Sequence, residues 1–215
     1  MITELAEKSC TRELYEEAFE DPKEFVDYYY KDKCSDNRII ADVEEGKVLS
    51  MLHLNPYRIS LDGAIFESYY IVAVATTEKR RREGRMAKVF EKTLGLLKNE
   101  KIPLVFLMPV DEAIYSWMGF EKICDFALEK ISSYEEIREN YDMYCVRDDV
   151  YIKRMEKEDA FREQDNGEVL PDDPVIMAKI TDLEAFNSLT GQSFQGEKEA
   201  LLWLKKKKIY ICEEV

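Results

Sequence analysis

The residues best suited to chemistry lie in a basic turn at residues 80–85, RRREGR, between an apolar run and an amphipathic stretch. The apolar run, residues 69–76, predicts a strand buried on both faces, and the stretch 82–99 predicts a helix. The first turn of a helix presents free backbone N–H groups and the positive end of its dipole, and therefore binds anions. Gly84 lets a ligand approach the backbone closely. The pattern predicts an anion site, although a helix with a solvated basic turn would use the same residues.

Composition narrows the class of protein. The 215 residues carry 31 Lys+Arg and 45 Asp+Glu, a net charge of −14, and 46% are hydrophobic, which excludes a disordered chain. The acidic balance argues against nucleic-acid binding and favours a cationic or amine-bearing partner. No apolar run reaches the roughly 20 residues of a membrane helix, and the N-terminus lacks the pattern of a signal peptide. Five cysteines without a CxxC pair and a single histidine, His53, predict a reduced, cytoplasmic protein without a metal site.

The elements predicted over residues 1–131 form an α+β pattern with one parallel crossover. Asp21 is expected to cap the second of two opening helices, with Pro22 in its first turn. The predicted helices are 11–19, 22–33, 82–99 and 111–118. The predicted strands are 38–43, 47–54, 57–61, 64–76, 103–108 and 120–131, the last as one bent strand or two short ones. Residues 55–56, Asn-Pro, are expected to separate two strands.

The remaining residues, 132–215, predict a small α+β subdomain. A polar segment rich in turn residues, about 163–173, marks the expected boundary within this part. The predicted helices are 132–140, 182–189 and 197–208, with a helix running out into the polar segment, and the predicted strands are 141–146, 175–180 and 208–215.

The basic turn resembles the acetyl-CoA motif of the GNAT superfamily of acyl-CoA N-acyltransferases, [Gln/Arg]-x-x-Gly-x-[Gly/Ala]. Arg81 and Gly84 match the motif, whereas Met86 stands where a second Gly or Ala is usual. Glu83 has to point away from a bound pyrophosphate, since a carboxylate there would lower its affinity. MLHLNPY, YYIVAVAT, FLMP and AIYSWMGF, in that order, are similar to the catalytic domain of acetyltransferases of the enhanced-intracellular-survival (Eis) type. The resemblance covers residues 1 to about 130 and implies the GNAT fold, a mixed central sheet with flanking helices.

The resemblance also implies a cofactor site for acetyl-CoA. Backbone groups of residues 74–76 would pair with the pantetheine arm, and the Val74 N–H would donate to the developing oxyanion. The amides of residues 82–87 would hold the pyrophosphate, and residues 110–111 would border the thiol end. The cofactor-binding residues expected on this basis are Val74, Ala75, Thr76, Arg81, Arg82, Glu83, Gly84, Arg85, Met86, Ala87, Val110 and Asp111.

Two residues take catalytic roles by the same resemblance. Tyr115 matches the general acid that protonates the departing thiolate, although a core aromatic would give the same pattern. Val215 would supply a C-terminal carboxylate as the base, with Glu213 and Glu214 as alternatives. The expected acceptor-pocket residues are Phe25, Tyr28, Tyr29 and His53. Aromatic residues at helical spacing are more often plain core, and a buried structural histidine is the commoner role for a residue such as His53.

The sequence therefore predicts an acetyl-CoA-dependent N-acetyltransferase that acetylates a primary amine directly, without a covalent acyl-enzyme. A small, cationic acceptor is expected. The alternatives are a non-catalytic acyl-CoA-binding or regulatory module and a peptide or protein N-acetyltransferase. Residues 132–215 resemble an abbreviated sterol-carrier-like domain, which is compatible with a homo-oligomer because so short a domain needs a docking surface.

Overall fold

A computed structural model of the protein describes residues 1–164 and 173–213. The helices are α1 Arg12–Ala18, α2 Lys23–Lys31, α3 Arg85–Asn99, α4 Ala113–Ser116, α5 Tyr134–Asn140, α6 Asp149–Gln164, α7 Leu183–Thr190 and α8 Glu197–Leu204. The strands are β1 Ile2–Glu4, β2 Arg38–Glu44, β3 Lys47–Leu61, β4 Ala64–Thr76, β5 Leu104–Leu107, β6 Glu121–Asp125, β7 Met143–Cys145, β8 Val175–Ile180 and β9 Ile209–Tyr210. The α+β class predicted from the sequence is confirmed.

The chain divides into two compact units. The first contains Met1–Pro56 and Ile71–Asn99, and the second contains Tyr57–Tyr70 and Glu100–Val215. In the first unit β2 pairs antiparallel with both β1 and β3. The apolar faces of α1, α2 and α3 supply buried side chains to the core of this unit, among them Leu14, Tyr29 and Phe90.

The second unit contains a mixed sheet. β4 and β5 pair in parallel, with Tyr69 opposite Val105 and Tyr70 opposite Phe106, which confirms the predicted crossover. β8 lies between β5 and β6 and pairs antiparallel with both. The end of β3 pairs antiparallel with β7, which pairs in parallel with β9. β8, which comes from the C-terminal part of the chain, is thus an internal strand of this sheet.

The prediction of two strands at 47–54 and 57–61 is wrong, because Lys47–Leu61 form one strand of 15 residues. The register with β2 ends at Leu54, and the register with β7 begins at Ile59. Pro56, which has no N–H to donate, lies between these two paired stretches.

Two predicted helix starts are also wrong. The helix predicted from residue 82 begins at Arg85, because Arg82 and Gly84 have left-handed φ values of 65° and 73°. Pro22 takes the N-cap position of α2, and Asp21 instead accepts a hydrogen bond from the Tyr15 hydroxyl at 2.7 Å.

Part of the predicted polar boundary, residues 165–172, lies outside the described residues. The division of the chain into residues 1–131 and 132–215 stays a prediction. No helix in the described ranges is both long and apolar enough to cross a membrane.

Candidate active site

The C-terminal half of β4 is irregular at the point where the sequence places the oxyanion donor. Ala73 has a φ of 49°, a left-handed conformation that costs a non-glycine residue about 1 kcal/mol. Such strained residues cluster at ligand sites. Val72, Ala73 and Val74 are half-buried, so the prediction that this run is buried on both faces is wrong. The next residue of β4, Ala75, is held in place because its carbonyl accepts a hydrogen bond from the Ser50 hydroxyl at 3.1 Å.

The basic turn opens directly into the N-terminus of α3. The Lys88 N–H donates to the Gly84 carbonyl at 3.2 Å, which is the first α-type hydrogen bond at this end. The amides of Arg85, Met86 and Ala87 precede that bond and have no partner within the helix. A Cβ added at Gly84 would meet no atom within 4 Å, so the space beside this backbone is open.

Several charged side chains of the basic turn form ion pairs within the protein. Glu83 accepts hydrogen bonds from Arg80 at 2.9 Å and from Arg85 at 3.0 Å, and these two guanidinium groups lower the pKa of its carboxyl. Arg85 also donates to Asp42 at 2.5 Å and to Glu44 at 2.8 Å. The Glu83 charge is therefore neutralised within the protein, and the Arg85 side chain holds the turn onto β2.

Two cations of the turn remain available to an anion. The Arg81 guanidinium donates to the Thr76 carbonyl at 3.2 Å, and its side chain is otherwise exposed. Arg82 is exposed and makes no ion pair with any residue of the described ranges. Three free helix amides, an open glycine backbone and two cations fit a diphosphate group.

Tyr115 lies in the short helix α4. Its side chain is 8% exposed, and its ring meets the Phe120 ring edge-on at 6.1 Å between centroids. Burial raises the pKa of Tyr115 to about 12, so the phenol keeps its proton at neutral pH. The Asp111 carboxylate accepts the N–H of Ala113, the first residue of this helix, at 2.9 Å, while Val110 is exposed. Tyr115 is therefore a buried phenol that is protonated at neutral pH.

The expected acceptor-pocket aromatics belong to the core of the first unit. Tyr28 and Tyr29 are buried, Phe25 is half-buried, and the Tyr29 ring stacks on Tyr15 at 5.1 Å. His53 is fully buried and shares a hydrogen bond of 2.7 Å between Nδ1 and the Tyr29 hydroxyl. Burial, with a smaller contribution from Lys8, lowers the pKa of His53 to about 3. His53 is therefore neutral at physiological pH and cannot act there as a base with pKa near 7.

Mild acid is expected to destabilise the protein through His53. The unfolded histidine takes up a proton near pH 6.5 and the folded one only near pH 3, so the free energy of unfolding falls as the pH falls between these values. From pH 6.5 to pH 5 the loss should be about 1.6 kcal/mol. Urea unfolding at both pH values measures it, with His53→Gln as the comparison. An equal loss in the variant would contradict the assignment, because His53 is the only histidine.

The base predicted at Val215 lies outside the described residues. Glu213 is described and buried, and its carboxylate accepts the Tyr151 hydroxyl at 2.5 Å and the Cys212 N–H at 3.0 Å. Sequence reasoning missed Tyr151, since 62 residues separate it from Glu213. The sequence signal for this region was the apolar, strand-like character of residues 208–215.

The family model of the acetyltransferase (GNAT) domain matches residues 4–123. No curated protein sequence matches the chain. The fold is similar to that of a probable N-acyltransferase from Enterococcus faecalis V583, with a TM-score of 0.61 and 13% identity over 88% of this chain and 74% of that one.

Two further solved structures share the fold. Eis1 from Mycobacterium abscessus has a TM-score of 0.56 and 12% identity, over 74% of this chain and 48% of that one. The ribosomal-protein-S18-alanine N-acetyltransferase from Escherichia coli has a TM-score of 0.50 and 12% identity, over 85% and 94% of the two chains. Identities this low speak for the fold alone. The family model covers more than half of the chain, and the protein therefore belongs to the acetyltransferase (GNAT) domain family and is an N-acetyltransferase with acetyl-CoA as its co-substrate.

Proposed function

We propose that the protein transfers the acetyl group of acetyl-CoA directly to the primary amine of a small, cationic acceptor. The observation that carries this proposal is the combination of an open, cationic helix terminus at residues 81–87 with a buried, protonated phenol at Tyr115. Bound acetyl-CoA supplies an activated thioester; the residues of the chain bind it, orient it and handle the protons.

The residues proposed to bind the cofactor lie in β4, in the basic turn and at the N-terminus of α3, and in the segment before α4. The amides of residues 82–87 and the Arg81 and Arg82 side chains would bind the pyrophosphate. The backbone of residues 74–76, of which Val74 and Thr76 are half-buried, would pair with the pantetheine arm, with the Val74 N–H as the oxyanion donor. Val110 and Asp111 would border the thiol end, where Tyr115 would protonate the departing thiolate.

Direct transfer is supported by the state of the cysteines. All five are free thiols, Cys10, Cys34, Cys124, Cys145 and Cys212. Burial raises the pKa of every one of them, for Cys34 to about 11 and for Cys124 to about 12. A thiol with a raised pKa carries little thiolate at pH 7 and is a poor nucleophile, which argues against a covalent acyl-enzyme.

The cationic acceptor is inferred from the net charge of −14, which attracts ammonium groups and repels anions. The likeness to Eis-type enzymes and the sterol-carrier-like reading of residues 132–215 remain part of this proposal. We place Phe25, Tyr28, Tyr29 and His53 behind the acceptor side, as the buried support of its wall.

Release of free CoA from acetyl-CoA tests the proposed function. A panel should contain spermidine, lysine, an aminoglycoside and a peptide with a free N-terminus, each compared with a no-acceptor control. We expect thiol release with one of the small polyvalent amines at a rate well above the control. CoA release with the peptide and with none of the small amines would mean that the acceptor is a peptide. No CoA release with any of these amines would overturn the proposal.

A further inference from the structure

A short 3₁₀ turn, Glu78–Arg80, leads from the end of β4 into the basic turn. Its N-cap residue, Thr77, makes no side-chain hydrogen bond to the turn that it precedes. The Thr77 hydroxyl donates instead to the Glu17 carboxylate of α1, at 2.9 Å to Oε1 and 3.0 Å to Oε2. Glu17 Oε1 also accepts the Glu78 N–H at 2.8 Å. The first N–H groups of a helical turn need an outside partner, and Glu17 supplies it from 60 positions before Thr77.

The Glu17 carboxylate is a charged group at the protein surface. Glu17 is exposed, and the Glu78 N–H above all, with the Thr77 hydroxyl and the charges of Arg81 and Lys79, lowers the pKa of its carboxyl against the opposing effect of burial. Glu17 thus lies within electrostatic range of Arg81, one of the two cations proposed to bind the diphosphate. A carboxylate near that cation reduces its attraction for an anion. The Glu17 charge by itself is therefore no help to cofactor binding, and its contribution has to be geometric.

The segment that Glu17 holds carries the Arg81 side chain. The Arg81 guanidinium donates to the Thr76 carbonyl at 3.2 Å, which folds its base back onto the end of β4. The Thr77 N–H donates to the Leu49 carbonyl of β3 at 2.9 Å. The backbone of the segment is thus tied to β3, and Glu17 ties it to α1. All of these residues belong to the first unit, and loss of the Glu17 side chain would leave the segment without its contact to α1.

We propose that Glu17 is a positioning residue for the cofactor, which holds residues 77–81 in the conformation that presents Arg81 to the diphosphate. This inference rests on the proposed function and adds a residue to its cofactor site. Glu17 acts through the segment and does not contact the diphosphate, since two anions repel each other. A segment that is already ordered loses less conformational entropy when a ligand binds, so the ligand binds more tightly.

The test compares Glu17→Ala with Glu17→Gln by calorimetric titration of acetyl-CoA. We expect the Kd to rise about 5–20-fold in Glu17→Ala, at the lower end for hydrogen bonds to a charged group because Glu17 is exposed. Glu17→Gln should recover most of the affinity, since its side-chain oxygen still accepts hydrogen bonds. Glu13→Ala removes an exposed carboxylate from the same helix and is the matched control, with an unchanged Kd.

Two further measurements separate positioning from a general loss of structure. Free CoA should lose as much affinity for Glu17→Ala as acetyl-CoA does, because both carry the diphosphate. In steady-state CoA release, the KM for acetyl-CoA should rise while kcat stays the same, since the groups that handle the protons are unchanged. Urea unfolding shows that each variant is folded.

An unchanged or lower Kd in folded Glu17→Ala would overturn the proposal, because a carboxylate that acts through its charge alone weakens anion binding and its removal strengthens it. An equal rise of Kd in Glu17→Ala and Glu17→Gln would also overturn it, since the glutamine keeps the hydrogen-bond acceptor. A failure of the unmodified protein to bind acetyl-CoA would overturn the proposed cofactor site itself, which keeps the two failures distinct.

Discussion

Replacing Tyr115 with phenylalanine is expected to lower kcat by about 10²–10⁴-fold and to leave the Kd of acetyl-CoA unchanged. The substitution removes one hydroxyl from a buried ring and keeps its contact with Phe120, so packing is preserved. What is lost is the proton for the departing thiolate. Steady-state CoA release gives kcat, and calorimetric titration of acetyl-CoA gives Kd.

Tyr141→Phe is a matched control, since this half-buried tyrosine packs on Tyr210 and has no part in the proposed chemistry. Because burial raises the pKa of Tyr115 to about 12, the unmodified enzyme should show no alkaline loss of kcat from this group below about pH 11. A Tyr115→Phe enzyme with the full kcat would remove Tyr115 from the mechanism. A Tyr115→Phe enzyme that lost cofactor binding instead would assign it to the binding site.

Replacing Gly84 with alanine is expected to weaken acetyl-CoA binding by about 10–100-fold, the value of one charge-assisted hydrogen bond. Gly84 has a φ of 73°, and an added Cβ would stand in the open space beside the free amides of α3. The substitution also costs about 1–2 kcal/mol of stability, because alanine is strained in the left-handed region. Calorimetric titration measures the affinity, and urea unfolding measures the stability.

Gly63→Ala separates these two effects. Gly63 has a φ of 84° and no atom within 4 Å of an added Cβ, as at Gly84, but it lies in the turn between β3 and β4. Both variants should lose similar stability, and only Gly84→Ala should lose affinity for acetyl-CoA. Equal affinities in the two variants would mean that the pyrophosphate does not approach Gly84.

Most elements of the fold could be predicted because periodicity and turn residues are local signals. The strand over residues 64–76 has the predicted bounds, and its parallel partner follows from the length of the crossover. The failures lie where tertiary pairing overrides a local signal. Pro56 predicts a break, yet it falls between two paired stretches of β3 and the strand continues.

Some features of the candidate site likewise follow from local sequence, whereas others depend on tertiary contacts. The open glycine and the helix terminus at Gly84 follow from the order of residues in one segment. The partners of Arg85 do not, because Asp42 and Glu44 come from a strand about 40 positions earlier. The Glu83 carboxylate, which would lower the affinity for a pyrophosphate if it faced one, is neutralised by its own neighbours. The contact of Tyr151 with Glu213 likewise depends on the tertiary fold.

The most direct test of the central claim is the thermal midpoint of the purified protein with and without acetyl-CoA, with desulfo-CoA as a further ligand. A ligand at 100 times its Kd adds about 2.7 kcal/mol to the free energy of unfolding, which for a chain of this size is a rise of several degrees. We expect that rise with acetyl-CoA and also with desulfo-CoA, since the diphosphate contacts the turn in both. An unchanged midpoint with saturating acetyl-CoA would contradict the assignment of the cofactor site to residues 74–87.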